Sequence, residues 1–289
     1  MITTCEPRAN YFYFQDLPLH CLKRIALVQM RSSEDKQKNL KTSLEFIVEA
    51  SSKSADLVCF PEFQMAFSPG SQSAAQLAGI AEKVKGNFVS ELATAAKKNK
   101  IGVIAAIYEK SGKSKRVYDT AVMISSAGKV SSVYRKLHLY NALGFKESAK
   151  LMPGKTIAKP AMTNAGRVGL LICYDLRFPE LSRILTVKGA DVLVAPSAWV
   201  SGEMKEEHWQ TMIKARAIEN GSYVIAPDQL GNIYCGRSMA VDPYGVVLVD
   251  MGQREGVEVV DIDKSRMQKV RTSLPLLKNR RTDIYKLSY

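Results

Sequence analysis

Apolar positions along the chain follow two rhythms. In short runs most positions are apolar: Arg24–Met30, Asp56–Phe60, Leu170–Cys173 and Ala190–Pro196. Such runs suit strands covered on both faces. Elsewhere apolar residues recur at helical spacing. Leu40, Leu44, Ile47 and Val48 form one stripe, and Phe88, Leu92 and Ala95 form another, with Asn87 placed to cap it. Pro179-Glu180 opens a third, through Leu181, Ile184 and Leu185, and a fourth helix over His208–Asn220 stops at Gly221. Residues 101–135 read instead as three strands in hairpin succession, Ile101–Glu109, Val117–Ser125 and Lys129–Arg135, with turns at Gly112 and Ala127-Gly128. Strands follow at Ser222–Ala226 and Ser238–Val241, with a turn at Asp242–Gly245 returning through Val246–Val249. Gly256–Ile262 is the last strand before a short helix and a basic tail. Buried strands alternating with helices predict an α/β fold. Ala190–Pro196 echoes Ala55–Pro61, which suggests two related βα halves.

Composition changes this picture little. The chain has 289 residues, 46% hydrophobic and 24% charged, as expected of a soluble globular protein with a sizeable core. No apolar stretch is long enough to span a membrane, and Glu6, Arg8, Asn10 and Asp16 break any signal-peptide pattern. No composition shift marks a boundary, so the reading is one domain over 23–289 preceded by an aromatic, proline-containing extension over 1–22. Five scattered cysteines without a CxxC pair point to reduced thiols and a cytoplasmic setting. The net charge of +13 is unusual, and it leaves a different class open: a basic anion- or nucleic-acid-binding protein. The charge is spread over helix faces without a binding motif, so a solvated basic surface and no nucleic-acid partner is the preferred reading.

The chemistry gathers where strands end. Cys173 lies between a buried run and the Pro179 helix, at the sheet edge where open α/β folds bind ligands. A thiol there is either a small core hydrophobe or a nucleophile close to backbone N–H groups. Glu62 ends the Asp56–Phe60 strand and reads as a helix-initiating or solvated loop acid or a general base. Lys136 ends the Lys129–Arg135 strand and faces either solvent or the edge that holds Cys173. The connection from Tyr140 to Lys155, which contains Glu147, is long enough to be functional.

An acid, a lysine and a cysteine, with no histidine cluster, resemble the catalytic set of the nitrilase superfamily of carbon–nitrogen hydrolases. The segments that carry the resemblance are Phe60–Glu62, Tyr134–Leu139, Cys173–Glu180, Glu207–Trp209, Lys214–Asn220, Ser238–Gly245 and Arg280–Tyr285, in uninterrupted order over residues 24–286. The resemblance implies a nitrilase-like four-layer αββα sandwich that forms homodimers or larger homo-oligomers. It implies Glu62 as general base, Lys136 as the cation facing an oxyanion, Cys173 as nucleophile, and Glu147 as a second glutamate orienting substrate or Lys136. It implies no metal and no cofactor. Tyr174, through its backbone N–H, Arg177 and Trp199 are the candidate substrate contacts. True nitrilases carry tryptophan after the cysteine, whereas Tyr174-Asp175 resembles the amidase branch with its ω-amidases and deaminated-glutathione amidases. The expected reaction is hydrolysis of a small-molecule amide to ammonia and an acid through a cysteine thioester, with nitrile hydrolysis at the same site as the alternative.

Overall fold

The computed structural model describes residues 22–112 and 114–285, so the expected extension over 1–22 lies outside the described residues except for Leu22. In chain order the strands are β1 (Lys23–Gln29), β2 (Leu57–Cys59), β3 (Gly102–Lys110), β4 (Val117–Ile124), β5 (Val130–Arg135), β6 (Ala161–Thr163) and β7 (Gly166–Leu170). They continue with β8 (Val192–Val194), β9 (Tyr223–Ala226), β10 (Leu230–Gly231), β11 (Tyr234–Cys235), β12 (Met239–Val241), β13 (Val247–Asp250) and β14 (Gly256–Ile262). The helices are α1 (Lys36–Ser52), α2 (Ala74–Ile80), α3 (Asn87–Lys98), α4 (Pro179–Val187), α5 (Lys205–Asn220) and α6 (Lys264–Ser273). Two six-stranded sheets run in the orders β14-β1-β2-β3-β4-β5 and β13-β12-β9-β8-β7-β6, and β10-β11 form a small ribbon.

The continuous apolar runs explain the layering. Along β1, Ile25 and Leu27 face the second sheet, while Ala26 and Val28 pack with Leu40 and Ile47 of α1 and Phe88 and Leu92 of α3. The other sheet is apolar on both sides for the same reason. Its strand residues share one core with Leu181 and Leu185 of α4 and with Trp209, Ile213 and Ala217 of α5. Helix, sheet, sheet and helix therefore stack as the four-layer αββα sandwich that the resemblance implied. At Gly169 of β7 a Cβ would lie 3.1 Å from Leu185 Cβ and 3.2 Å from Ala190 Cβ, so the missing side chain lets α4 approach the sheet closely.

Each sheet repeats one pattern. In the first, β1, β2 and β3 are parallel, β4 and β5 return antiparallel, and β14 lies antiparallel at the edge. In the second, β7, β8 and β9 are parallel, β12 and β13 return antiparallel, and β6 takes the edge. Ala55–Pro61 and Ala190–Pro196 run into and through the same strand, β2 or β8, of each half, as their echo suggested.

Several local expectations change. The strand expected over Leu170–Cys173 is Gly166–Leu170, because Cys173 already opens a 3₁₀ turn over Cys173–Arg177. Val48 does not belong to the buried stripe of α1, since it is 55% exposed while Ile47 is fully buried. Asn87 is the first residue of α3 rather than its cap; Gly86 takes the cap position, and Glu82 Oε2 accepts the Phe88 N–H of the first turn at 2.9 Å. Helix α5 begins three residues before His208, at Lys205, and ends as expected at Gly221, whose φ of +56° suits glycine. Helix α2 and strands β6, β10 and β11 are additions to the elements expected from the sequence.

Candidate active site

The ends of β2, β5 and β7 converge. Glu62 follows β2 by three residues, and its side chain is sealed beneath the loop, 1% exposed. Gln229 Nε2 donates to the Glu62 carbonyl at 2.9 Å, which pins the loop from the other half of the molecule. Lys136 directly follows β5 and is fully buried. Its ammonium lies 2.7 Å from Glu62 Oε1 and 3.0 Å from Glu147 Oε1. The solvated alternatives for Glu62 and Lys136 are thereby overturned, because each is the other's charge partner in the interior. Glu147 sits in a 3₁₀ turn within the long connection, and its Oε2 accepts the Tyr140 N–H at 2.7 Å. Gly154, near the end of that connection, donates its N–H to the Lys136 carbonyl at 2.8 Å.

Cys173 is held at the start of its turn in a left-handed conformation, φ +44°, with its N–H donated to the Pro196 carbonyl at 2.9 Å. A non-glycine residue in this region carries strain of about 1–3 kcal/mol that the surroundings must offset. Asp175 does much of this. Its carboxylate accepts from Tyr134 Oη at 2.6 Å, Ile172 N–H at 2.9 Å and His138 N–H at 3.1 Å, and lies 2.7 Å from His138 Nδ1. His138 in turn stacks on Phe178, ring centroids 3.7 Å apart. The turn that presents the thiol is thus tied to the strand end that presents Lys136.

Electrostatics follow from burial. The Cys173 thiol is pushed well above its ordinary range by desolvation and then by the Glu62 charge, with Lys136 and the Ala198 N–H opposing. It rests as a neutral thiol that needs a base. Burial alone would pull Lys136 down, but the carboxylates of Glu147 and Glu62 outweigh it and hold the ammonium charged. Burial raises Glu147, against the pull of Lys136.

Cys173 opens into a cavity of about 600 Å³ lined by Tyr108, Glu147, Tyr174, Arg177, Trp199 and Tyr234, among others. This is a size suited to a small-molecule ligand. Among the described residues Arg177 makes no ion pair with Asp175 or Glu180; its guanidinium lies 4.7 Å from the Trp199 ring centroid and 3.5 Å from His208 Nδ1. All seven candidate residues therefore come together, Glu62 and Lys136 behind the cavity and the other five on its wall.

Residues 24–272 match the carbon-nitrogen hydrolase family. The chain belongs to it. This carbon-nitrogen hydrolase is 34% identical over 288 residues to the deaminated glutathione amidase of Bos taurus, covering 94% of this chain and 84% of that one. Its fold resembles that of Saccharomyces cerevisiae Nit3, a member of branch 10 of the nitrilase superfamily (TM-score 0.80, 30% identity, 90% of this chain and 97% of that one). It also resembles a glutamate-to-glutamine mutant of an amidase from Nesterenkonia sp. AN1 (TM-score 0.75, 26% identity, 91% and 98% covered), whose structure shows the result of Michael addition of acrylamide at that protein's active-site cysteine.

Three features of the hydrolase site escaped the sequence reading. Lys205 lines the cavity at 7% exposure, its Nζ 2.9 Å from Tyr140 Oη and over the Tyr140 and Trp199 rings. Among the described residues it has no carboxylate within ion-pair distance. Asp119 Oδ2 lies 3.8 Å from Lys136 Nζ. Asp175 anchors the nucleophile turn. Only Asp175, inside the CYDLRFPE segment, carried a signal in the sequence. Among the described residues no group of three or more His, Cys, Asp or Glu side chains is arranged to hold a metal ion, and no helix is long and apolar enough to cross a membrane.

Proposed function

We propose that this hydrolase cleaves the terminal amide of a small anionic molecule, releasing ammonia and a carboxylic acid. The observation that carries the reading is Lys136, clamped between Glu62 and Glu147 at 2.7 and 3.0 Å behind the cavity that Cys173 enters. Glu62 takes the thiol proton as Cys173 Sγ bonds to the amide carbon. The carbonyl π pair moves to oxygen, and Lys136 with the Tyr174 backbone N–H stabilises that oxyanion. Glu62 then passes its proton to the leaving nitrogen, the C–N bond breaks and a thioester remains. A water molecule attacks the thioester carbon, its proton going to Glu62. As the C–S bond breaks, that proton returns to sulfur. Glu147 holds Lys136 in place.

The anionic substrate is read from Arg177 and Lys205. A buried ammonium without a counter-ion is costly unless something brings one, and both cations face the cavity. Trp199 and Tyr174 would supply the apolar walls. Several relatives are named deaminated glutathione amidases; the amides of glutathione are secondary, so with a substrate of that kind the same steps would release an amine in place of ammonia. The reading takes 23–289 as one hydrolase domain with 1–22 appended, acting in the cytoplasm as a homo-oligomer without membrane or nucleic-acid partner.

The test is ammonia release from matched ω-amides, neutral amides and nitriles. Anionic ω-amides should give the highest kcat/KM, with trapping of an acyl group on Cys173 visible by mass spectrometry. A nitrile turned over faster than its amide would replace this reading with a nitrilase.

A further inference from the structure

Asp119 of β4 reaches into the charged cluster, yet the steps above leave it without a task. Its carbonyl accepts the Lys136 N–H at 2.9 Å, which fixes it beside the lysine. Its carboxyl group, 1% exposed, lies 3.8 Å from Lys136 Nζ, farther than either glutamate. Neither Asp119 oxygen has a hydrogen-bond partner, and neither does Glu62 Oε2. The Asp119 and Glu62 carboxyl groups nonetheless lie against the same ammonium, 3.8 and 2.7 Å from Lys136 Nζ, so they are close neighbours in the interior.

Two carboxylates cannot hydrogen-bond, whereas an acid and a carboxylate can. The cluster also holds one cation against three buried carboxyl groups, and an unpaired buried charge is expensive. Tyr108 and Cys173, which face the same space, are both raised by burial and keep their protons. Glu147 receives donors from Lys136 and the Tyr140 N–H, and Glu62 receives Lys136. Asp119 receives none of these, so it is the group that holds the extra proton. We propose that Asp119 is a positioning residue, kept as a neutral acid whose O–H donates to Glu62 Oε2 and aims that carboxylate at the Cys173 thiol. Burial and the Glu62 charge raise Asp119, with Lys136 opposing. The proton stays on Asp119 through the cycle; only Glu62 exchanges protons with substrate and thiol. A second carboxyl group with no backbone donor becomes useful because it is never ionised.

The inference rests on Glu62 being the proton carrier, and two measurements separate the two claims. The first is the acid limb of the kcat/KM–pH profile. Asp119→Asn keeps a donor of the same shape and should leave that limb in place with kcat close to wild type. Asp119→Leu removes the donor and should move the limb up by about one pH unit, lowering kcat with little change in KM. Downward movement in either variant would mean that Asp119 is an anion. An unmoved limb in Asp119→Leu would make it a bystander. Either outcome overturns the proposal. The second is the wild-type minus Asp119→Asn infrared difference spectrum at pH 8. It should show a protonated carboxylic acid C=O band that shifts in D₂O; a carboxylate band instead overturns the proposal. The spectrum needs neither turnover nor a folded Asp119→Leu protein, so it stands even if the amidase reading fails.

Discussion

The two halves of the molecule share a sheet plan and differ in what each places at the ends of its strands. Leu27 of β1 pairs with Cys59 of β2, and Leu170 of β7 pairs with Val194 of β8. Three residues past the first members stand Met30 and Cys173; three past the second stand Glu62 and Ser197. At the antiparallel return, Lys136 donates its N–H to the Asp119 carbonyl, and Met251 donates its N–H to the Ser238 carbonyl. Position for position, the first half offers methionine, glutamate and lysine, while the second offers cysteine, serine and methionine. Neither half holds the set. The first carries the buried carboxylate and the ammonium, the second carries the thiol, and only face-to-face packing brings them together. The lesson is that the backbone plan supplies addresses, and a few side chains decide which addresses do chemistry.

That comparison can be broken by substitution. The largest loss should come from Glu62→Gln and Cys173→Ala, one from each half. Each should remove nearly all ammonia release, by about 10⁴-fold or more, and the double variant should be little worse than either single. Additive losses in steady-state kinetics would mean that the halves do not act as one unit. Lys136→Met comes next. It should cut kcat by about 10²–10³-fold through loss of oxyanion stabilisation. It should also lower stability by about 3–5 kcal/mol, because the buried glutamates lose their partner. Chemical denaturation beside kinetics separates the two effects.

Arg177→Ala and Lys205→Met, both in the second half, should raise KM for anionic ω-amides by about tenfold or more while changing neutral amides little. Equal rises for both substrate classes would make the two cations structural. The smallest effect belongs to Ser197, which occupies in the second half the place that Glu62 holds in the first. Its hydroxyl donates to the Ala195 carbonyl at 2.8 Å. Ser197→Ala should leave kcat within about twofold and cost about 0.5–1.5 kcal/mol of stability in thermal or chemical unfolding. A large catalytic loss there would show that the comparison of addresses is mistaken.

The sequence alone determined the secondary elements that bury both faces, since runs such as Ile25–Val28 and Val192–Ala195 have few other stable arrangements. It also singled out Glu62, Lys136 and Cys173 as candidates, because motif residues keep their spacing in the chain whatever the packing, while their meeting was left to the fold. Gly221 could be placed at a helix end because a left-handed cap is a local property. Less local features were not legible. Val48 fits the helical period of its stripe yet points to solvent, and the period alone does not say how wide a stripe the partner layer covers. Lys205 looked like one basic residue among many until Trp199 and Tyr140, distant in part along the chain, closed around it. Asp119 lies in an ordinary-looking hairpin strand, and its chemistry exists only because β2 and β5 bring Glu62 and Lys136 beside it. Strand and helix preferences depend on near neighbours in the chain. Burial, charge pairing and the sharing of a proton depend on contacts between distant segments, which only the packed sandwich creates.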